Sequence, residues 1–153
     1  MIQNEHQYKI SQTKLRELEQ ASANIDFEDS TLHPRQILAE KNSYTKLVDG
    51  LRKELIEYEE LKNGSIQMLQ VNNINDLPIA IIKARISLGM TQKELAEKIG
   101  TQEQQIQRYE ADRYAAISFD RMMKIVAALG MSLKNGMEIA IDRQPDPVPP
   151  IVR

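Results

Sequence analysis

The 153-residue chain has no cysteine and no tryptophan, two phenylalanines and two histidines. Without cysteine there is no disulfide and no thiolate metal site, and His6 and His33 alone are too few for a metal centre. Aromatic residues are scarce, while Leu, Ile, Ala, Glu, Lys and Gln dominate, so the composition favours helices over strands and predicts an all-α protein. No apolar run approaches the ~20 residues of a membrane span, and the start from Met1 to Ile10 is polar. The expectation is a soluble, cytoplasmic chain with no membrane contact. No cluster of His, Ser and carboxylates converges at catalytic spacing and no glycine loop suited to phosphate is present, so neither an enzyme nor a cofactor is expected.

The most informative stretch runs from Thr91 to Ala111, TQKELAEKIGTQEQQIQRYEA. Leu95, Ala96 and Ile99 fall on one face of a first short helix, Gly100 follows it where a left-handed residue is needed, and Ile106 and Tyr109 line the inner face of a second. Ala96 is small because the second helix crosses close to it, and Ile106 fills the angle between the two. What remains outward on the second helix is Gln102, Glu103, Gln104, Gln107 and Arg108, side chains able to reach base edges and phosphates. The spacing predicts a helix-turn-helix.

TQKELAEKIG followed by QQIQRYE resembles the DNA-binding domain of Xre-type, phage-repressor-like bacterial regulators, over roughly Leu77 to Gly130. That resemblance implies a compact bundle of four or five helices binding double-stranded operator DNA as a homodimer, with Gln92 touching a phosphate from the start of the first motif helix. It also implies an ion pair between Arg85 and Glu110. Arg85 lies near the inward face of its own helix, where a charge is expensive without a partner. Glu103 departs from the more basic members of the family, since a carboxylate beside phosphates costs affinity even where it could accept from cytosine.

The net charge of -2 divides unevenly. Residues 1 to 75 hold nine Lys/Arg and twelve Asp/Glu, residues 76 to 130 eight against seven, and residues 131 to 153 three of each. A motif domain this close to neutral offers modest nonspecific electrostatic affinity, so useful binding needs two copies and direct base contacts.

Ahead of the motif, residues 11 to 23 place Leu15, Leu18 and Ser22 at helical spacing, and the acidic stretch from Asp26 to Ser30 breaks that helix. Thr31 or His33 then caps a second helix with Pro34 in its first turn, running to Lys62 and interrupted only by Gly50. Its apolar residues recur in alternating steps of three and four, and Tyr44, Val48, Leu51, Leu55 and Tyr58 form a coiled-coil-like seam for a second copy or another partner. Leu38, Leu47, Ile56 and Leu61 widen the stripe, which suits a helical hairpin that also dimerises. The alternative is an amphipathic helix folded onto its own DNA-binding domain. Glu54, Glu57, Glu59 and Glu60 read as a solvated face.

Asn63-Gly64 stops this helix, and residues 65 to 76 read as a linker with a short strand at Ile66 to Val71. Asp76 caps the next helix, with Pro78 in its first turn and Ile81, Ala84 and Leu88 inward. After Glu110, a loop carries Arg113 and Tyr114 within reach of the sugar-phosphate backbone. Ser118 caps a last helix with Phe119, Met122, Ile125, Val126 and Leu129 as its apolar stripe, Met122 and Met123 reading as core filler. Asn135-Gly136 signals a short C-terminal strand or hairpin, and the prolines from Pro145 to Pro150 an extended tail. The division expected is thus an N-terminal helical arm (1–64), a linker (65–76), the DNA-binding domain (77–130) and a C-terminal strand and tail (131–153).

Functionally, the sequence reads as a sequence-specific DNA-binding regulator, a repressor using the second motif helix in the major groove. An antitoxin is the competing reading. There the arm binds and inhibits a toxin while the same motif represses its own operon.

Overall fold

The computed structural model describes residues 1–24 and 33–132, and among them every regular element is helical. The order is α1 (Glu5–Ala23), α2 (Pro34–Lys62), a 3-10 turn (Ile74–Asp76), α3 (Leu77–Ser87), α4 (Gln92–Ile99), α5 (Glu103–Ala111) and α6 (Phe119–Ala128). The expected C-terminal strand or hairpin, Pro-rich tail and acidic break between α1 and α2 lie outside the described residues.

α1 begins earlier than its periodicity suggests. The Asn4 side chain accepts from the Gln7 backbone N–H at 2.9 Å, and Gln7 Oε1 accepts from the Gln3 N–H at 2.8 Å. A cap of this kind starts a helix whatever apolar pattern follows. At α2 the cap is His33, whose Nδ1 accepts from Arg35 N–H at 3.2 Å while Gln36 Oε1 accepts from His33 N–H at 3.1 Å. Pro34 stands in the first turn, where its missing N–H leaves no bond unmade.

The two long helices pack side by side as a hairpin. Tyr8 stacks on Tyr58 with ring centroids 5.1 Å apart, and its hydroxyl donates to Glu59, which pushes that phenol up to about 12. Ion pairs join Glu19 to Arg52 at 2.6 Å and Glu5 to Lys62 at 2.5 Å, fixing the antiparallel register. Exposed pairs like these contribute about 0–1 kcal/mol each, so the hairpin depends on its apolar contact. That contact is thin on α1, where no side chain is fully buried.

One continuous core joins the hairpin to the helices that follow. Ile2 from the N-terminal segment and Leu55, Tyr58 and Leu61 from α2 pack in a single cluster with Ile81, Ile82, Ile86, Leu95, Ile106, Ile125 and Leu129. This corrects the seam. Val48, Leu55 and Tyr58 are buried by their own chain, while Tyr44 and Leu51 are half-buried. The stripe is filled because the C-terminal half of α2 lies against both α1 and α3, and ordinary intramolecular burial takes the place of a second copy. The segment from 65 to 76 is likewise no free linker, since Ile66 and Leu69 pack against the core, and it forms the 3-10 turn and not the expected strand.

α3 is apolar on almost every side and is buried accordingly, at Ala80, Ile81, Ile82 and Ile86. Leu88, expected inside, is exposed, because α3 ends at Ser87 and Leu88 is already the cap. Asp76 makes no side-chain cap to α3; its carboxylate accepts from the Asn73 N–H at 3.1 Å and serves the preceding turn. On α6, Ile125 and Leu129 are buried and Met122 and Val126 pack beside them, but Phe119, the first helical residue, is 71% exposed.

Candidate nucleic-acid interface

α4 is fixed at both ends by local chemistry. Thr91 Oγ1 accepts from the Glu94 N–H at 3.1 Å, and Glu94 accepts in return from the Thr91 N–H at 2.7 Å. These bonds hold the Glu94 carboxyl below its ordinary range. Gly100 closes the helix at φ 70°, a region that costs a residue with Cβ about 1–2 kcal/mol, and the Thr101 N–H returns to the Ala96 carbonyl at 2.8 Å. The chain thereby turns sharply into α5. Leu95, Ala96 and Ile106 are buried in the angle between the helices, and Tyr109 stacks on Tyr114 at 6.1 Å.

This packing leaves Gln102, Glu103, Gln104, Gln107 and Arg108 exposed together on the outer side of α5 and its cap. Three of the five are lightly tied: Gln107 Nε2 donates to Glu103 Oε1 at 3.0 Å, and Arg108 Nη2 approaches Oε1 of the half-buried Gln105 at 3.5 Å. Gln104 makes no such bond among the described residues. The face therefore offers amide, carboxylate and guanidinium groups at low reorganisation cost, the groups that match base edges in a major groove.

Behind α5 lies a buried polar centre. Arg85 grips Glu110 in two parallel bonds, Nε to Oε1 at 2.6 Å and Nη2 to Oε2 at 2.7 Å, with the two side chains 3% and 0% exposed. Arg85 Nη1 donates to the Met90 carbonyl and Nη2 also to that of Gln3, each at 2.8 Å. Desolvation of two charges is tolerable only when the remaining polar atoms find partners, and here each guanidinium nitrogen and each carboxylate oxygen has at least one. The third donor to Glu110 is Gln92, whose Nε2 lies 2.8 Å from Oε2.

Two expected DNA contacts are thereby relocated. Gln92 is 7% exposed, its amide nitrogen used on Glu110 and its oxygen accepting from Asn4 Nδ2 at 3.4 Å, so the side chain is held inside and does not reach for a phosphate. Tyr114 is 2% exposed, and its hydroxyl is buried with no partner among the described residues. Burial, reinforced by the Glu110 charge, pushes its pKa far up. Tyr114 is a core residue, turned inward by its φ of 58°. Arg113 beside it also has positive φ, 49°, but stays exposed and makes no ion pair among the described residues.

Other residues of the site carried no signal in the sequence. Gln3 and Asn4 reach the polar centre from the far end of the chain, and no periodicity connects residues so distant. Arg121 on α6 donates to Thr101 Oγ1 at 2.9 Å, tying α6 to the turn before α5. Among the described residues no group of three or more His, Asp or Glu could hold a metal ion, and no helix is long and apolar enough to cross a membrane.

A search of curated proteins and a search of solved structures find no match to the chain. A family model described as helix-turn-helix matches residues 81–134, from within α3 to just beyond α6. That span contains the turn at Gly100, the outer face of α5 and both partners of the buried ion pair. Over residues 81–134 the chain is thus similar to the helix-turn-helix family.

Proposed function

We propose that the protein is a sequence-specific repressor that reads double-stranded operator DNA with α5 in the major groove. The observation that carries this reading is the set of five polar side chains exposed along one face of α5 while its opposite face is locked by Ile106 and the Arg85–Glu110 pair. Gln102 and Gln104 carry amides that can pair with adenine, Arg108 matches guanine or a phosphate, and Glu103 accepts from cytosine. Gln107 lies further along the same face. Arg113 supplies a phosphate contact from the loop. Gln92 and Tyr114 take no part in direct contact; they hold α5 in place.

The motif domain is only slightly basic, so a single copy gains little from counterion release, and a homodimer on two half-sites supplies the missing affinity. With Val48, Leu55 and Tyr58 already covered, the part of the α2 seam left for a second copy is Tyr44 and Leu51, with exposed Leu47 beside them. The same surface, together with exposed Leu38, supports the second reading, an antitoxin whose hairpin holds a toxin. Sedimentation separates the two: a dimer that Leu47→Glu with Leu51→Glu turns to monomer supports self-association, and a monomeric parent favours the other partner.

Selection of bound sequences from random DNA by the full chain, at stated salt, tests the main reading. Enrichment of two related half-sites is expected. Replacing Gln104 or Arg108 with Ala should relax preference at particular positions by roughly 1–3 kcal/mol. Absence of any enriched sequence would sink the proposal.

A further inference from the structure

Residues 1–4 precede the first helix, yet they end inside the polar centre behind α5. Ile2 is buried in the shared core. The Gln3 carbonyl accepts from Arg85 Nη2 at 2.8 Å, and the Gln3 side-chain amide donates to the backbone carbonyl of Glu110 at 3.2 Å. Asn4 Nδ2 donates to Gln92 Oε1 at 3.4 Å while its Oδ1 caps α1. All three links converge on the C-terminal end of α5: through Arg85, through Gln92, and directly on the Glu110 carbonyl.

We infer that Gln3 and Asn4 are positioning residues for DNA reading, a strap that fixes the angle at which α5 presents Gln104 and Arg108. The inference deepens the DNA-binding reading above and rests on it. α5 is nine residues long and cannot hold its own position; besides Ile106 and Tyr109 its anchorage is Glu110. Without the Gln3 amide, the Glu110 carbonyl at the end of α5 loses a part-buried donor, and without the Asn4 amide the Gln92 side chain that holds Glu110 loses its own tie, so that end of the helix must draw in water or shift. A small tilt at that end moves the outer face, and paired bonds to base edges tolerate only about 0.5 Å of misplacement. Phosphate contacts made by long, flexible cationic side chains adapt to the same tilt. Loss of the strap should therefore weaken specific binding and leave nonspecific binding nearly untouched.

The test uses the full chain with two substitutions. Gln3→Met keeps the reach of the side chain and removes its donor; Asn4→Ser keeps an oxygen to cap α1 but cannot reach Gln92. Gln12→Ala, on the exposed part of α1, is the control. Each strap variant should raise the Kd for the selected operator about tenfold, leave the Kd for random DNA within about twofold, and leave the salt slope unchanged. In the free protein, the α5 amides should exchange hydrogen faster in both variants than in the control. Equal losses on operator and random DNA, or unchanged affinity with only a lowered melting temperature, would reduce the strap to ordinary core and overturn the inference. A parent chain that selects no sequence overturns the DNA reading itself, and unchanged exchange in α5 overturns the strap whatever the DNA results.

Discussion

The N-terminal hairpin and the helix-turn-helix are built on opposite principles. Five of the 29 residues of α2 are buried and none of the 19 in α1, whereas five of the 11 in α3 are buried. Helices as long as α1 and α2 gain from their own hydrogen-bonded length and need only one shared stripe. Helices of eight to eleven residues are not stable alone and exist through caps, tight turns and dense burial. The helix-turn-helix should therefore be sensitive to single changes where the hairpin is tolerant, and its polar centre should be the most sensitive place of all.

The sharpest way to break the contrast is at Arg85 and Glu110. Replacing either alone with Ala should cost about 3–5 kcal/mol by leaving an unpaired buried charge, while Arg85→Met combined with Glu110→Leu should cost less than the two single losses added together, its residual cost coming from the Met90 and Gln3 carbonyls and the Gln92 amide that lose their partners. Denaturant melts of the three variants decide this, and an Arg85→Ala midpoint equal to the parent would show that the pair contributes nothing.

Next comes apolar burial on the two sides. Ile81→Ala, in the centre of the short-helix bundle, should cost about 2–5 kcal/mol. Leu47→Ala, on a side chain 57% exposed on α2, should stay within about 0.5 kcal/mol. Similar melting shifts for the two would erase the distinction between the regions.

Backbone conformation gives a smaller pair of effects with opposite signs. Gly100→Ala places a methyl group in open space, so its cost is the left-handed backbone alone, about 1–2 kcal/mol. Arg113→Gly relieves the same strain and should raise stability by up to about 1 kcal/mol while lowering affinity for DNA. A stabilised variant with undiminished binding would remove Arg113 from the interface.

The smallest effect is acidic. The Glu94 carboxyl sits below its ordinary value of 4.5 because the Thr91 N–H and hydroxyl donate to it. A folded-state pKa lower than the unfolded one stabilises fully above 4.5, and the gain is lost as pH falls through the folded value. Glu94→Gln should flatten that part of the stability-against-pH curve, read by circular dichroism, and an unaltered curve would show the box is idle.

Much of the helix-turn-helix could be read from residue order because its information is local. Gly100 after Ile99, the small Ala96 and the outward run from Gln102 to Arg108 each act within a turn or two of chain, and short-range sterics and hydrogen bonds suffice to place them. The ends of α2 at Pro34 and Asn63 were legible for the same reason. α1 was legible only from residue 11, since its true start depends on polar caps at Gln3, Asn4 and Gln7 that carry no period.

What the tertiary structure decided is where long-range contacts go. A stripe of apolar residues on α2 specifies that something must cover it and is silent on what, so whether Leu55 and Tyr58 meet a second copy, a partner or their own chain depends on how α1 and α3 pack. The inward turn of Gln92 was equally out of reach, because a polar side chain near a helix end suits solvent, a phosphate or a buried carboxylate, and only the third acceptor site of Glu110 selects among them; that of Tyr114 depends on core packing, its hydroxyl having no partner among the described residues. Residue order alone fixed the helices, the turn and the outward face of α5, through contacts a few residues apart. Folding chose the partners of everything separated by tens of residues, because desolvation of Arg85 and Glu110 must be matched by whichever donors and acceptors the completed core brings within about 3 Å.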